Sequence, residues 1–278
     1  MLTISRQDFE QSLPVGASAH EEVYESVAPA ISTALNNYYT MLLGDAGAQL
    51  VESPDESTPL KQYFRQLVCI DAFLSVFRQL DLVLTPTGFG IVSNDTVSPA
   101  SKQRVDALEG QLRTALCRAR AMTVDLLRSP EWGSGPEAAN FIRFVYTEHY
   151  YFFSPANTGS RFYLDWQAMQ TAILDTDEQL RLRFSDTQLD DILDAYRCAD
   201  RNRLKAYAAF MQLSCDLTDL WAVRAKAALQ SPTYRRLQRE ADSNLDLFAP
   251  YAASDAYKVA HQESFHNTKE SSAFLFNG

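Results

Sequence analysis

"LKQYFRQLVCIDAFLSVFRQL", residues 60–80, decides the fold class. Phe64, Leu67, Val68, Ile70, Phe73, Leu74, Val76 and Phe77 recur at three- and four-residue steps and leave almost no polar face. A helix that is apolar nearly all round has to be covered on most sides by other elements. The stretch therefore predicts a central, buried helix inside a helical body. Composition agrees. Hydrophobic residues make up 46% of the 278, enough for a real core, and glycine numbers only 10. That balance favours helix over a turn-dense sandwich.

Upstream, Ser18 and Glu21 in "SAHE" form a capping box, in which the serine bonds an amide three residues on and the glutamate reaches back. The helix they open is expected to run to residue 43, with Val23, Val27, Ile31, Leu35, Tyr38 and Leu42 on one stripe. Gly44 and Gly47 are expected to stop it, before the polar turn cluster "ESPDESTP".

Downstream, "LVLTPTGFGIVSNDTVSPASKQRV" (82–105) interrupts the helices. Thr85-Pro86-Thr87-Gly88 has turn chemistry, proline presetting φ and glycine free to take positive φ. Residues 82–84 and 89–92 are expected to pair as a small hairpin. Two short strands alone are marginal in water, so the ribbon must lie on the helical body or meet another chain. The sharper reading makes Pro86, Gly88, Phe89, Ile91 and Val92 an interaction element that adds a strand or inserts apolar residues into a neighbour. A connector tucked on the core is the plainer alternative. Ser98-Pro99 then reads as N-cap and first helical residue, opening a helix to residue 127 marked by Val105, Leu108, Leu112, Ala115, Ala119, Met122 and Leu126.

"RSPEWGSGPEAAN" (128–140) carries two prolines and two glycines and reads as a linker. The aromatic stretch 141–163 allows either strand or helix, because periodicity does not decide between them. Beyond it come a helix at 162–173 with Trp166 and Met169, and a second capping box at Ser185 and Gln188. Helix is then expected to 229, broken around "CADRN", before another Ser-Pro start at Ser231. The tail "SSAFLFNG" is short, apolar and extended. The expectation is mostly α: a multi-helix bundle with a small β-hairpin inserted between long helices. It divides into an N-terminal helical region 1–128 with the ribbon at 82–98, a linker 129–140 and a C-terminal helical region 141–278. The segments 63–80 and 204–220 echo each other, as duplication would give and as ordinary helical proteins also give.

The formal net charge is −10, and phosphate backbones repel such a surface. One basic cluster, Arg235, Arg236 and Arg239 with Arg224 and Lys226 upstream, reads as a solvated helix face. No specific nucleic acid is expected as a partner. Cys69, Cys117, Cys198 and Cys215 lack CxxC spacing and read as buried thiols in a reducing cytoplasm. Neither a secretory signal nor a run long enough to span a membrane is visible.

His261 and His266 stand five apart, missing the i, i+4 step that puts two imidazoles on one face, and Glu148 beside His149 builds no metal site alone. There is no nucleophile elbow, Walker loop or GxGxxG. Asp190-Asp191 and Asp175 with Asp177 read as solvated acidic faces, since paired carboxylates mean something only when burial separates their pKa values. The sequence thus gives no catalytic residue, cofactor or metal, and the expectation is a protein that is not an enzyme.

"LTPTGFGIVSNDTVSPASKQRVDAL" resembles a recurring segment of an uncharacterised family of Bacteroidetes phage and prophage proteins. There a Leu-Thr-Pro-x-Gly-Phe strand leads into "VSN", "PASK" and an Arg-containing helix. "SFHNTKESSAFLF" resembles the same family's ending. The resemblance implies a virion-structure protein of the head–tail adaptor kind. Its partners would be other copies of itself in a ring and the phage portal and tail proteins. It would reside in the bacterial cytoplasm during assembly and then in the virion. The family supplies no catalytic residues. The alternative is a helical ligand-binding or regulatory domain of a mobile element without catalytic activity, its aromatic middle lining a pocket.

Overall fold

A computed structural model describes residues 1–13, 21–55, 58–80, 82–85, 88–91, 101–153 and 162–262. The protein is mostly helical. In the N-terminal region, α1 (Arg6–Ser12), α2 (Glu21–Tyr38) and α5 (Lys102–Leu127) surround α4 (Pro59–Val76). Phe64, Leu67, Val68, Cys69 and Ile70 of α4 are fully buried, as a helix apolar on every side requires. Thr58 caps α4 with its hydroxyl and Pro59 takes the first position, where a missing N–H costs nothing. Phe9 of α1 meets Phe73 edge-on at 6.1 Å, and the Tyr38 and Tyr39 rings meet Phe64 at 6.4 and 6.0 Å.

The end of α2 departs from expectation. Its last turn widens into a π-helical turn, Tyr39–Leu43, and Gly44 takes φ 55° while its N–H returns to the Tyr39 carbonyl. Positive φ is where glycine lacks the Cβ penalty. Gly44 therefore redirects the chain rather than ending its helical course. Helix α3 (Gly44–Val51) follows at once. Gly47 sits inside α3 because a Cβ there would lie 3.1 Å from the Trp132 ring. The cap at Ser18 lies outside the described residues.

After α4 a single 3-10 turn, Phe77–Gln79, leads to β1 (Leu82–Thr85) and β2 (Gly88–Ile91). These pair antiparallel, Leu82 opposite Ile91 and Leu84 opposite Phe89. The start expected at Ser98-Pro99 lies outside the described residues, and α5 is described from Lys102. Ser101, extended at φ −64° and ψ 146°, stands in the capping position.

The stretch read as a linker is folded. It forms α6 (Pro130–Gly133) and α7 (Pro136–Phe141), with Trp132 and Ala138 buried. Its prolines and glycines serve local geometry. Pro130 and Pro136 start helices, and Gly133 lets the backbone come against α10 (Asp186–Arg197), where a Cβ would fall 2.4 Å from the Arg197 carbonyl oxygen. Among the described residues of the aromatic middle there is no strand. Residues 142–147 are irregular and α8 (Glu148–Phe153) is helical.

Helices α9 (Phe162–Phe184), α10, α11 (Arg201–Arg224) and α12 (Pro232–Ser243) pack together, with the short α13 (Ala249–Ala252) and α14 (Asp255–Ala260) across one end. Helix α9 outruns the expected end at 173. Only half of the second capping box forms: the Ser185 hydroxyl accepts from the Gln188 N–H, but the Gln188 side chain turns inward to Tyr207 and to the Tyr251 amide. The break at 198–200 and the Ser231 cap stand where the sequence places them. Phe184, Phe210, Phe248 and Tyr251 interlock at ring distances of 5.1–5.3 Å. Buried side chains of both regions belong to one continuous hydrophobic core.

Candidate interaction site

The ribbon sits at the tip of a helical hairpin made by α4 and α5. The last buried residue of α4 is Phe73, and the first of α5 is Leu112. From Lys102 to Leu112 a helix rises about 15 Å at 1.5 Å per residue. Along that length Lys102, Gln103, Arg104, Asp106, Ala107 and Gln111 are exposed. On the other side Leu80 is 37% exposed. Val76 and Phe77 on one side and Leu108 on the other still pack partly buried against the core. The two helix ends leave it only beyond them, as a short arm that leads into the ribbon.

Of the residues singled out in the sequence, Gly88, Phe89 and Ile91 lie on β2. Pro86 and Val92 lie outside the described residues. Successive strand positions alternate between faces, and positions directly opposite share one. The register therefore puts positions Leu82, Leu84, Phe89 and Ile91 on one face of the ribbon and both glycines, Gly88 and Gly90, on the other. Among the described residues no third strand joins the ribbon, and a backbone edge of this kind is the feature through which a further strand is added.

The base of the arm is held by charges that the sequence reading passed over. Arg78, just before the ribbon, bonds Asp106 from its Nη2 at 2.8 Å and Glu109 from its Nε at 2.9 Å. Arg113 grips the other oxygen of Glu109 at 2.8 and 3.0 Å. The Arg78 guanidinium also lies over the Phe77 ring at 5.6 Å. Hydrogen bonds from Arg78 and Arg113 hold the Glu109 carboxyl below its ordinary range. The available signal was the 106, 109, 113 spacing, which lines acids and base along one helix face; the Arg78 partner required the fold.

A second locus lies where the aromatic middle meets α5 and α9. A cleft of about 250 Å³ is lined by Arg120, Tyr146, Thr147, Glu148, Trp166 and Gln170, among others. Arg120 forks onto Glu148 at 2.9 and 2.6 Å. Burial opposes the guanidinium's charge, but Glu148 more than offsets it, and Arg120 is held above its ordinary pKa. The Tyr146 and Trp166 rings stack at 6.5 Å, and the Tyr146 hydroxyl donates to Asp219 at 2.6 Å. Burial raises the pKa of both Tyr146 and Asp219.

The remaining chemistry-bearing residues are dispersed. Cys69 and Cys215 are buried and Cys117 and Cys198 half-buried; burial pushes the thiols of Cys69 and Cys117 up to about 12 and about 11. His149 stands beside Asp125, its Nε2 3.6 Å from the carboxylate. His20 and His266 lie outside the described residues. The basic cluster on α12 is exposed. Asp177 departs from the solvated reading. It is 9% exposed, pairs with Arg181 at 2.8 Å, and its pKa is raised by burial. Among the described residues no group of three or more His, Cys, Asp or Glu is placed to hold a metal, and no helix is long and apolar enough to cross a membrane.

The fold and this geometry define a helical protein that carries a ribbon-tipped arm. Residues 19–142, which take in α2, α4, the ribbon, α5 and both short helices after it, match a family of unknown function, DUF6712. No curated protein and no solved structure matches the chain.

Proposed function

We propose that the chain is a structural subunit of a phage or prophage particle, a head–tail connector that joins copies of itself into a ring and meets the portal and tail proteins. The observation that carries this reading is the α4–α5 arm, projecting past the core with large apolar positions on one face of its ribbon. A ring repeats one heterologous contact about a closed axis, so each arm has a neighbour to meet. The net charge of −10 suits a channel through which DNA slides without sticking. The resemblance of the ribbon segment to virion-module proteins points the same way.

The test is the double variant Phe89→Ser with Ile91→Ser. An assembly role leaves the melting temperature of the isolated subunit nearly unchanged while blocking ring or particle incorporation, read by light scattering and by an incorporation assay. A large fall in melting temperature assigns the ribbon to the core and sinks the reading.

The aromatic cleft supports a second reading, a ligand-binding or regulatory domain. Trp166 on its wall gives the readout. Saturable quenching of its fluorescence by a small aromatic or anionic compound, with no self-association at any concentration, favours that class.

A further inference from the structure

The cleft beside α8 carries a charge that its own residues leave unmatched. Two guanidiniums, Arg120 and Arg143, line it against one carboxylate, Glu148. Arg120 holds Glu148 in a fork, so that pair is neutral. Arg143 is exposed, lies 5.4 Å from the Phe144 ring centre, and meets no carboxylate among the described residues. On a chain of net charge −10, a cleft with one uncompensated cation is a local attractor for anions.

Its hydrogen-bond donors are unmatched as well. The indole N–H groups of Trp132 and Trp221 bond the Leu42 carbonyl and the Asp175 carboxylate at 2.9 and 3.3 Å. That of Trp166, on the α9 side of the cleft, meets no acceptor among the described residues. Nor does the side-chain amide of Asn140, at the end of α7. Three donors of different kinds thus border one space without acceptors. Half-buried Phe141 and Phe144 and buried Ile142 and Ile173 supply the apolar part of the lining. A few polar groups converging on an apolar wall are the make-up of a small-molecule site.

We propose that this cleft binds a small aromatic acid, its anionic group on Arg143 and its ring beside Trp166 and Phe144. The planar guanidinium matches a carboxylate with two parallel hydrogen bonds. A ring set against an indole gains from offset and edge packing beyond simple burial. The volume of about 250 Å³ lies just below the roughly 300–1,000 Å³ of pockets for larger ligands, which suits a single ring. This inference rests on the ligand-binding reading of the cleft and is independent of the ribbon and of assembly.

Titrations of the full chain with benzoate, followed by Trp166 fluorescence, test it. Benzamide serves as the uncharged counterpart and acetate as the anion without a ring. Benzoate is expected to quench saturably and to bind about tenfold or more tighter than either control, the size of one charged hydrogen bond. Arg143→Gln changes an exposed position and is expected to bring benzoate to the benzamide level with the melting temperature unchanged. Arg143→Lys is expected to retain part of the affinity, having the charge without the fork. Trp166→Phe is expected to abolish the quenching. Benzamide or acetate binding as tightly as benzoate overturns the aromatic acid while leaving a ligand-binding cleft, and so does native affinity for benzoate in Arg143→Gln. Benzoate that never saturates, or quenching that persists in Trp166→Phe, overturns the proposal together with the cleft reading.

Discussion

The indole Nε1 of Trp132 donates to the carbonyl of Leu42 across 2.9 Å in a buried site. Leu42 stands in the last turn before Gly44 diverts the chain, where helix carbonyls lose their intrahelical partners. The α6 segment thus completes the end of the π-helical turn and ties 130–133 to the N-terminal bundle. Trp132→Phe keeps most of the ring but orphans that carbonyl, a cost of about 1–3 kcal/mol. Urea unfolding of the two proteins measures it. Equal midpoints would show that the indole bond contributes nothing.

Gly133 packs where a Cβ would meet the Arg197 carbonyl oxygen and the Cys198 amide nitrogen at 2.4 and 2.6 Å. Both obstacles are backbone and cannot swing aside. Gly133→Ala is expected to destabilise by about 1–3 kcal/mol or more, the range for overpacked sites. Gly135→Ala, next to a Glu137 side chain that can move, is expected to cost less. A Gly135→Ala variant melting lower than Gly133→Ala would contradict this account.

His149 and Asp219 give opposite pH signatures. Burial lowers the His149 pKa, the Asp125 carboxylate opposing the shift and Arg128 adding to it. The unfolded chain therefore binds the proton more readily. Stability is lost as pH falls from the unfolded value near 6.5 through the depressed folded value. His149→Gln is expected to flatten that part of the melting-temperature profile. A difference between variant and native protein that stays constant from pH 8 to 5 would remove His149 from the effect.

For Asp219 burial raises the pKa, with the Tyr146 hydrogen bond opposing. Its contribution is fully present below the unfolded carboxyl value and is lost as pH rises through the folded one. Asp219→Asn keeps an oxygen for the Tyr146 hydroxyl and removes the buried charge. Near pH 8 it is expected to melt at or above the native protein, with the advantage shrinking toward pH 4. A lower melting temperature across the whole range would show that the ionised carboxylate is the better acceptor.

Periodicity revealed the elements whose burial is local in origin. The 60–80 helix, the stripe through Val27, Ile31 and Leu35, and the serine starts at Ser185 and Ser231 all follow from spacing and cap chemistry within a few residues. What the sequence hid depends on distant partners. The prolines and glycines of 128–140 look like a linker until Trp132 finds Leu42 and Gly133 finds Arg197. Asp177 looks solvated until the packing of α9 against α10 and α11 buries it. At the candidate site, the turn at Pro86-Thr87 lies outside the described residues, and the arm's projection was not readable. Exposure of the first turn of α5 is set by where the core ends, near Phe77 and Leu108, and no local pattern encodes that limit.

The arm's orientation gives the last prediction. Arg78 joins the end of α4 to Asp106 and Glu109 at the start of α5, immediately below the ribbon. Its side chain is 52% exposed, so the pair adds little to global stability. Its geometric role is larger, because it fixes how two helix ends carry the strands between them. Arg78→Ala is expected to leave the melting temperature nearly unchanged and to reduce assembly, while Arg113→Ala, which grips Glu109 without bridging the two helices, leaves assembly intact. Arg78→Lys retains the charge but not the fork onto two carboxylates, and is expected to restore assembly only in part. Raised salt, which screens exposed pairs over about 8–10 Å, should weaken the native protein toward the Arg78→Ala level. Assembly by Arg78→Ala indistinguishable from native at low salt would show that the ribbon needs no anchor at its base.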